Sequence, residues 1–250
     1  MIVVGLDLEA TGLDKVKDRP IEVGLTLWST NMQRGLETRN FLIQSDGVPV
    51  TEEITKITGI TQKAVNSFGY NPEEAFHEIA QFVGQAEAIV AFNGRRFDIP
   101  MMNQWAKRLG TTFPEKLVID PFEDMPEFTD VASPGMRGQE LITMCAKNGI
   151  YYGAHEAGAD VGAMLRLMST RDFGLVLQRA KSETIIVQSK QNFDENAKAK
   201  KHKFRWAPKP VGIWWKKVKR IDLDDLVKAV NNEFEMAEID IPLDVLETDD

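Results

Sequence analysis

The run Ile2-Val3-Val4-Gly5-Leu6-Asp7-Leu8 constrains the fold more than any other stretch of the chain. It is short, rich in β-branched residues and apolar at successive positions, so both of its faces need cover. Such a strand belongs in the interior of a sheet with layers packed on either side. Thr11-Gly12 ends it. Ile21, Val23, Leu25 and Leu27 then alternate with Glu22, Gly24 and Thr26, which predicts a second strand, and residues 39–44 predict a third. The chain therefore opens as an antiparallel meander.

From Asn71 the period changes. Asn71 is placed to cap a helix, Pro72 suits its first position, Glu73 and Glu74 favour its dipole, and Phe76, Ile79, Ala80 and Val83 follow helical spacing. Residues 88–92 predict a fourth strand, Pro100 opens a helix through Leu109, and residues 117–120 predict a fifth strand. Helices over 139–147 and 157–168 complete the set. A meander followed by alternating strands and helices predicts an α/β fold with a mixed five-stranded sheet flanked by helices.

Composition agrees with an ordered, water-exposed chain: 43% of 250 residues are hydrophobic and 27% charged. The single cysteine, Cys145, can form no internal disulfide and no zinc cluster, and the N-terminal run is too short for a signal peptide or membrane span. A cytoplasmic protein is expected. The net charge of −8 is unevenly spread, with +9 over residues 190–220 and −17 elsewhere. Two parts with different tasks are expected: 1–180 as the main domain and 184–232 as a small basic α+β domain, with 233–250 as an acidic tail that frays.

Asp7 and Glu9 stand two apart on the first strand, so both carboxylates leave one face at its C-terminal end. Alone, such a pair is an exposed polar face. Asp98 near a helix start, and Asp160 near the start of the last main-domain helix, each favour a helix dipole. His155 alone is a surface residue. Together the five lie where strands end and helices begin, which is where ligand sites collect in open α/β sheets. Four carboxylates offer hard oxygen ligands suited to two Mg²⁺ or Mn²⁺ ions, which can stabilise the charge of a phosphodiester transition state. A histidine beside them can accept the proton of the attacking water.

The motifs Leu6-Asp7-Leu8-Glu9-Ala10-Thr11-Gly12, Asn93-Gly94-Arg95-Arg96-Phe97-Asp98 and His155-Glu156-Ala157-Gly158-Ala159-Asp160 resemble those of the DEDDh, or DnaQ-like, exonucleases. The five-residue step from His155 to Asp160 is that of the histidine subgroup. Further matches at 20–24 and 57–61 extend the resemblance over roughly residues 1–175. It implies an RNase H-like fold and 3′-to-5′ hydrolysis of single-stranded DNA or frayed 3′ ends to nucleoside 5′-monophosphates, in DNA repair or replication. Asp7, Glu9, Asp98 and Asp160 would hold the two metals, His155 would be the general base, and Leu13, Asn93 and Phe97 would approach the terminal nucleotide. Ala10, Phe92 and Thr58 depart from residues frequent in the family, and none is a ligand. The alternatives are an exoribonuclease with the same site and, from another class, a catalytically silent single-strand-binding protein.

In the basic segment, cations interleave with large aromatics, a combination that suits single strands. Lys203, Arg205, Trp206 and Trp214 are the expected contacts. The same aromatics could instead make the core of so small a unit.

Overall fold

The computed structural model describes residues 1–125 and 140–246, apart from the side chains of Glu195 and Asp244. Within them the strands are β1 Ile2–Ala10, β2 Pro20–Ser29, β3 Arg34–Leu42, β4 Ala88–Val90, β5 Leu117–Ile119, β6 Thr184–Ser189, β7 Arg205–Ala207, β8 Ile213–Lys219 and β9 Met236–Ile239. The helices are α1 Glu52–Thr58, α2 Gln62–Phe68, α3 Pro72–Gly84, α4 Asp98–Arg108, α5 Pro121–Asp124, α6 Leu141–Lys147, α7 Ala157–Ser169, α8 Phe173–Lys181, α9 Asn196–Lys201, α10 Leu223–Val230 and α11 Leu243–Leu246. Two units form, one from residues 1–125 and 140–180 and the other from 181–246.

The first unit is built on a sheet of order β3-β2-β1-β4-β5, antiparallel through β1, β2 and β3 and parallel from β1 to β4 to β5. This is the expected mixed five-stranded sheet, in the RNase H-like arrangement. Alternation along β1 decides what each face receives. Val4, Leu6 and Leu8 pack with Phe76, Ile79 and Phe82 of α3 and with Met101, Met102 and Trp105 of α4. Val3 packs on the opposite side with Val161, Met164 and Leu165 of α7 and Met144 and Cys145 of α6. Gly5, Asp7 and Glu9 share the α7 side with Val3.

Several boundaries differ from the sequence reading. Strand β3 starts at Arg34 because it pairs with β2 back to Ser29. Asp120, expected to end the fifth strand, instead caps α5 by accepting the Phe122 amide at 3.1 Å. Helices α1 and α2 were not expected. Thr51 and Thr61 cap them, and α1 buries none of its residues, so neither has a strong apolar stripe. The helix expected from Gln139 is described from Leu141, and Gln139 lies outside the described residues.

The second unit is a four-stranded antiparallel sheet of order β7-β8-β6-β9. Ile185, Val187, Phe204, Trp214, Val218, Leu226 and Val230 form its core. Leu226 and Val230 of α10 face this core, while Val227 is exposed. The stretch from Glu233 was expected to fray, yet β9 pairs with β6 from Ile186↔Ile239 to Ser189↔Met236. Residues 247–250 of that stretch lie outside the described residues.

Candidate active site

The face of β1 that carries Asp7 and Glu9 is the one covered by α7, whose first turn carries Asp160. One carboxylate oxygen from each of Asp7, Glu9 and Asp160 lies within 4.8 Å of the others. Asp98 opens α4, and its Oδ1 accepts the Leu8 amide at 3.1 Å, between the two acids of β1. Three of the four expected ligands therefore cluster at one end of β1, and Asp98 is bonded to the strand between two of them without joining that group.

These carboxylates are held at electrostatic cost. Burial, followed by the charges of Asp98, Asp160, Glu9 and Glu22, raises Asp7 well above the usual carboxylate range. Burial, with Asp160 and Glu22 behind it, pushes Glu9 up to about 7. Burial also raises Asp98 to about 7, although the amide bonds it accepts act the other way. Among the described residues none of the four is ion-paired. A cluster of hard oxygen donors that repel one another and lack a protein cation fits divalent metal ions.

Residues outside the motifs set this geometry. A β-carbon on Gly24 would lie 2.4 Å from the Ala157 carbonyl carbon, so only glycine lets α7 approach β2 so closely. Beside it Glu22, buried and opposite Glu9 in register, accepts the Ala157 amide at 3.0 Å and the Asn40 Nδ2 at 3.0 Å. Tyr152 donates its hydroxyl to Asp160 Oδ1 at 2.8 Å. The turn that delivers Asp98 is fastened from below: Asp120 accepts the Asn93 and Arg95 amides at 2.8 and 3.2 Å. Arg95 in turn grips the buried Asp124 at 2.7 and 3.1 Å. Gly94 is needed there, since a β-carbon would meet the Ala91 β-carbon at 2.2 Å. Sequence reasoning met Glu22, Gly24 and Arg95 within the matched stretches 20–24 and 93–98 and Asp120 at the end of a strand, gave none of them a role in the site, and passed over Tyr152.

His155 is exposed and adopts a φ of 68°, in the left-handed region. That conformation costs about 1 kcal/mol, and it is offset by the His155 amide, which donates to Asp160 Oδ2 at 2.8 Å. The imidazole has no hydrogen-bond partner among the described residues. Leu13 is 79% exposed on the loop after β1. Phe97, half-buried, precedes Asp98, with the Lys15 ammonium 5.6 Å from its ring centre. Asn93 takes a φ of 55° and buries its side-chain oxygen without a partner, as if set for a donor from outside the chain.

In the second unit the structure separates the four expected contacts. Trp214 is 2% exposed and its ring stacks on Phe193, so it serves the core and presents no face to a base. Trp206 is half-buried and meets Phe193 edge-on at 5.0 Å, and Arg205 is exposed with its guanidinium 5.8 Å from Trp215. Lys203 sits at a turn with φ 61°. Part of the local positive charge is paired: Lys201 with Glu233, Lys190 with Glu235, and Arg220 with Glu183 and Glu238.

Comparison with known proteins agrees with this geometry. The family model described as Exonuclease, RNase T, matches residues 4–168. The DNA polymerase III PolC-type of Caldanaerobacter subterraneus is 31% identical over 120 residues, 48% of this chain and 8% of that protein. That of Ureaplasma parvum is 29% identical over 180 residues, 68% of this chain and 12% of that one. The chain thus spans only about a tenth of these relatives. Among solved structures, E. coli exonuclease I in complex with a dA16 oligonucleotide superposes with a TM-score of 0.59 at 18% identity, over 75% of this chain and 48% of that one. The nuclease domain of 3′hExo, a DEDDh family member bound to rAMP, superposes with a TM-score of 0.57 at 16% identity, over 68% and 90%. No helix among the described residues is long and apolar enough to cross a membrane. With the family model matched over residues 4–168, most of the chain, this protein belongs to the RNase T exonuclease family.

Proposed function

We propose that the enzyme degrades single-stranded DNA, or frayed DNA ends, from the 3′ terminus and releases nucleoside 5′-monophosphates. The observation that carries this reading is the convergence of Asp7, Glu9 and Asp160 within 4.8 Å, with Asp98 bonded to the strand between the first two. Two Mg²⁺ or Mn²⁺ ions held by these four residues would supply charge neutralisation at the scissile phosphate. His155, unpartnered at the rim, accepts the proton of the attacking water at a ring nitrogen. Tyr152 and Glu22 keep Asp160 and the start of α7 in place through that step. Leu13 and Phe97 offer apolar surface to the terminal nucleotide, and the buried oxygen of Asn93 accepts one of its donors. Residues 1–180 carry the reaction, while Lys203, Arg205 and Trp206 of the 184–232 segment give a secondary hold on the strand.

DNA is preferred over RNA because the relatives found by sequence are DNA polymerases and one structural neighbour is a complex with a DNA oligonucleotide. The rAMP-bound neighbour keeps the exoribonuclease reading open to the same experiment. That experiment is a time course on 5′-labelled and 3′-labelled single strands of DNA and of matched RNA, with Mg²⁺, Mn²⁺ or EDTA. A metal-dependent ladder from the 5′ label and immediate mononucleotide release from the 3′ label are expected, faster on DNA. Faster RNA decay would reverse the substrate, and intact strands under every condition would leave a binding protein.

A further inference from the structure

The loop that follows β1 is fixed by its own side chains. Thr11 donates its amide to the Arg19 carbonyl at 2.9 Å and its hydroxyl to Asp18 at 3.0 Å, and the Asp14 amide reaches the same Asp18 at 2.9 Å. Asp14 accepts the Val16 and Lys17 amides at 2.9 and 3.1 Å, and Arg108 donates to the Lys15 carbonyl at 3.3 Å. A loop tied at so many points presents its remaining side chains in set positions.

Three of those side chains are cationic, and they differ in what they face. Lys17 pairs with Asp14 at 3.6 Å and Arg19 with Asp46 at 3.4 Å. Lys15 has no carboxylate partner among the described residues, and its ammonium rests over the ring of Phe97, the residue immediately before Asp98. A cation in that place, over the ring that precedes Asp98 and on the loop that exposes the apolar side chains of Leu13 and Val16, has no carboxylate partner among the described residues. Its surroundings match a nucleic-acid strand, whose phosphates need a cation and whose sugars and bases need apolar surface.

We propose that Lys15 is a substrate-positioning residue that leaves the Phe97 ring to pair with a backbone phosphate of the bound strand. This rests on the exonuclease reading above. The contact is with the backbone, so it acts on every sequence alike and sets the register in which the 3′ end reaches the carboxylates. The lysine takes no part in bond breaking, and its loss is felt in KM and in salt dependence, with kcat within about twofold of the parent.

The test compares the full-length parent with Lys15→Gln, Lys15→Arg and Lys17→Gln, the last as a paired surface control. Cleavage of a single-stranded DNA oligonucleotide, and its equilibrium binding by fluorescence anisotropy, are followed between about 50 and 200 mM salt. For Lys15→Gln a several-fold higher KM and a log-log salt slope shallower by about 0.7, the value of one single-strand phosphate contact, are expected. Lys15→Arg keeps the parental slope, and Lys17→Gln resembles the parent. A parental slope in Lys15→Gln, or an equal change in Lys17→Gln, overturns the proposal. Absence of cleavage by the parent would instead sink the exonuclease reading, and the binding slopes would still decide the role of Lys15.

Discussion

Asp7 is surrounded by four other acids, and this makes its side chain necessary to the reaction and costly to the fold. Asp7→Asn removes one ligand and one repelling charge. Turnover is expected to fall at least about 1000-fold, while the metal-free protein gains roughly 1 kcal/mol, seen as a rise of about 2–4 °C in Tm. A fall in Tm measured in EDTA would mean that Asp7 is paired by something not seen here. The same electrostatics predict a dependence on pH. Glu9 and Asp98 have folded-state values near 7 against ordinary values of 4.5 and 3.8, so the folded protein holds their protons more tightly than the unfolded chain does. Stability of the metal-free protein from these groups is full below about pH 4, falls as pH rises towards 7, and is level above it. The gain in Tm on adding Mg²⁺ should therefore widen across that window, and a constant gain from pH 4.5 to 7.5 would count against the assignment.

At the scale of elements, the site depends on how closely α7 can approach the sheet. Gly24→Ala sets a methyl group against the Ala157 backbone. Since backbone cannot rotate aside as a side chain can, a loss of about 1–3 kcal/mol is expected. Asp160 moves with the helix, so kcat should fall further than stability alone explains. A variant with parental Tm and parental kcat would show that α7 shifts freely. This dependence also marks what was legible in the sequence. The strands and main helices follow from periodicity within ten or so residues, and Asp7, Glu9, Asp98, His155 and Asp160 from motifs at their ends. Glu22 and Ala157 stand 135 residues apart, and no local pattern signals that one caps the other. Trp214 was misjudged because alternation says which residues share a face of β8 without saying which face meets the core. Strand β9 was missed because Glu233, Glu235 and Glu238 outweigh its few apolar residues.

For the molecule as a whole, charge is balanced locally more than its linear distribution suggests. Part of the +9 of residues 190–220 is met within the second unit by the acids of the following segment, where Lys201 pairs with Glu233, Lys190 with Glu235 and Arg220 with Glu238. Replacing these three by glutamine keeps β9 hydrogen-bonded and frees its partners. Affinity for single-stranded DNA at low salt should rise, and the salt slope should steepen by about 0.7 for each cation released onto a phosphate. Unchanged binding would assign the segment to packing or to a protein partner. The pairing of β9 with β6 also has a consequence in time. Among the described strands β9 is the last in chain order, while its neighbour β6 is complete some fifty residues earlier. During synthesis β6 therefore waits with one open edge and with basic residues not yet matched, close to the nucleic acid of the ribosome itself. Emergence of β9 closes that edge and brings Glu235 and Glu238 to the basic surface in a single event.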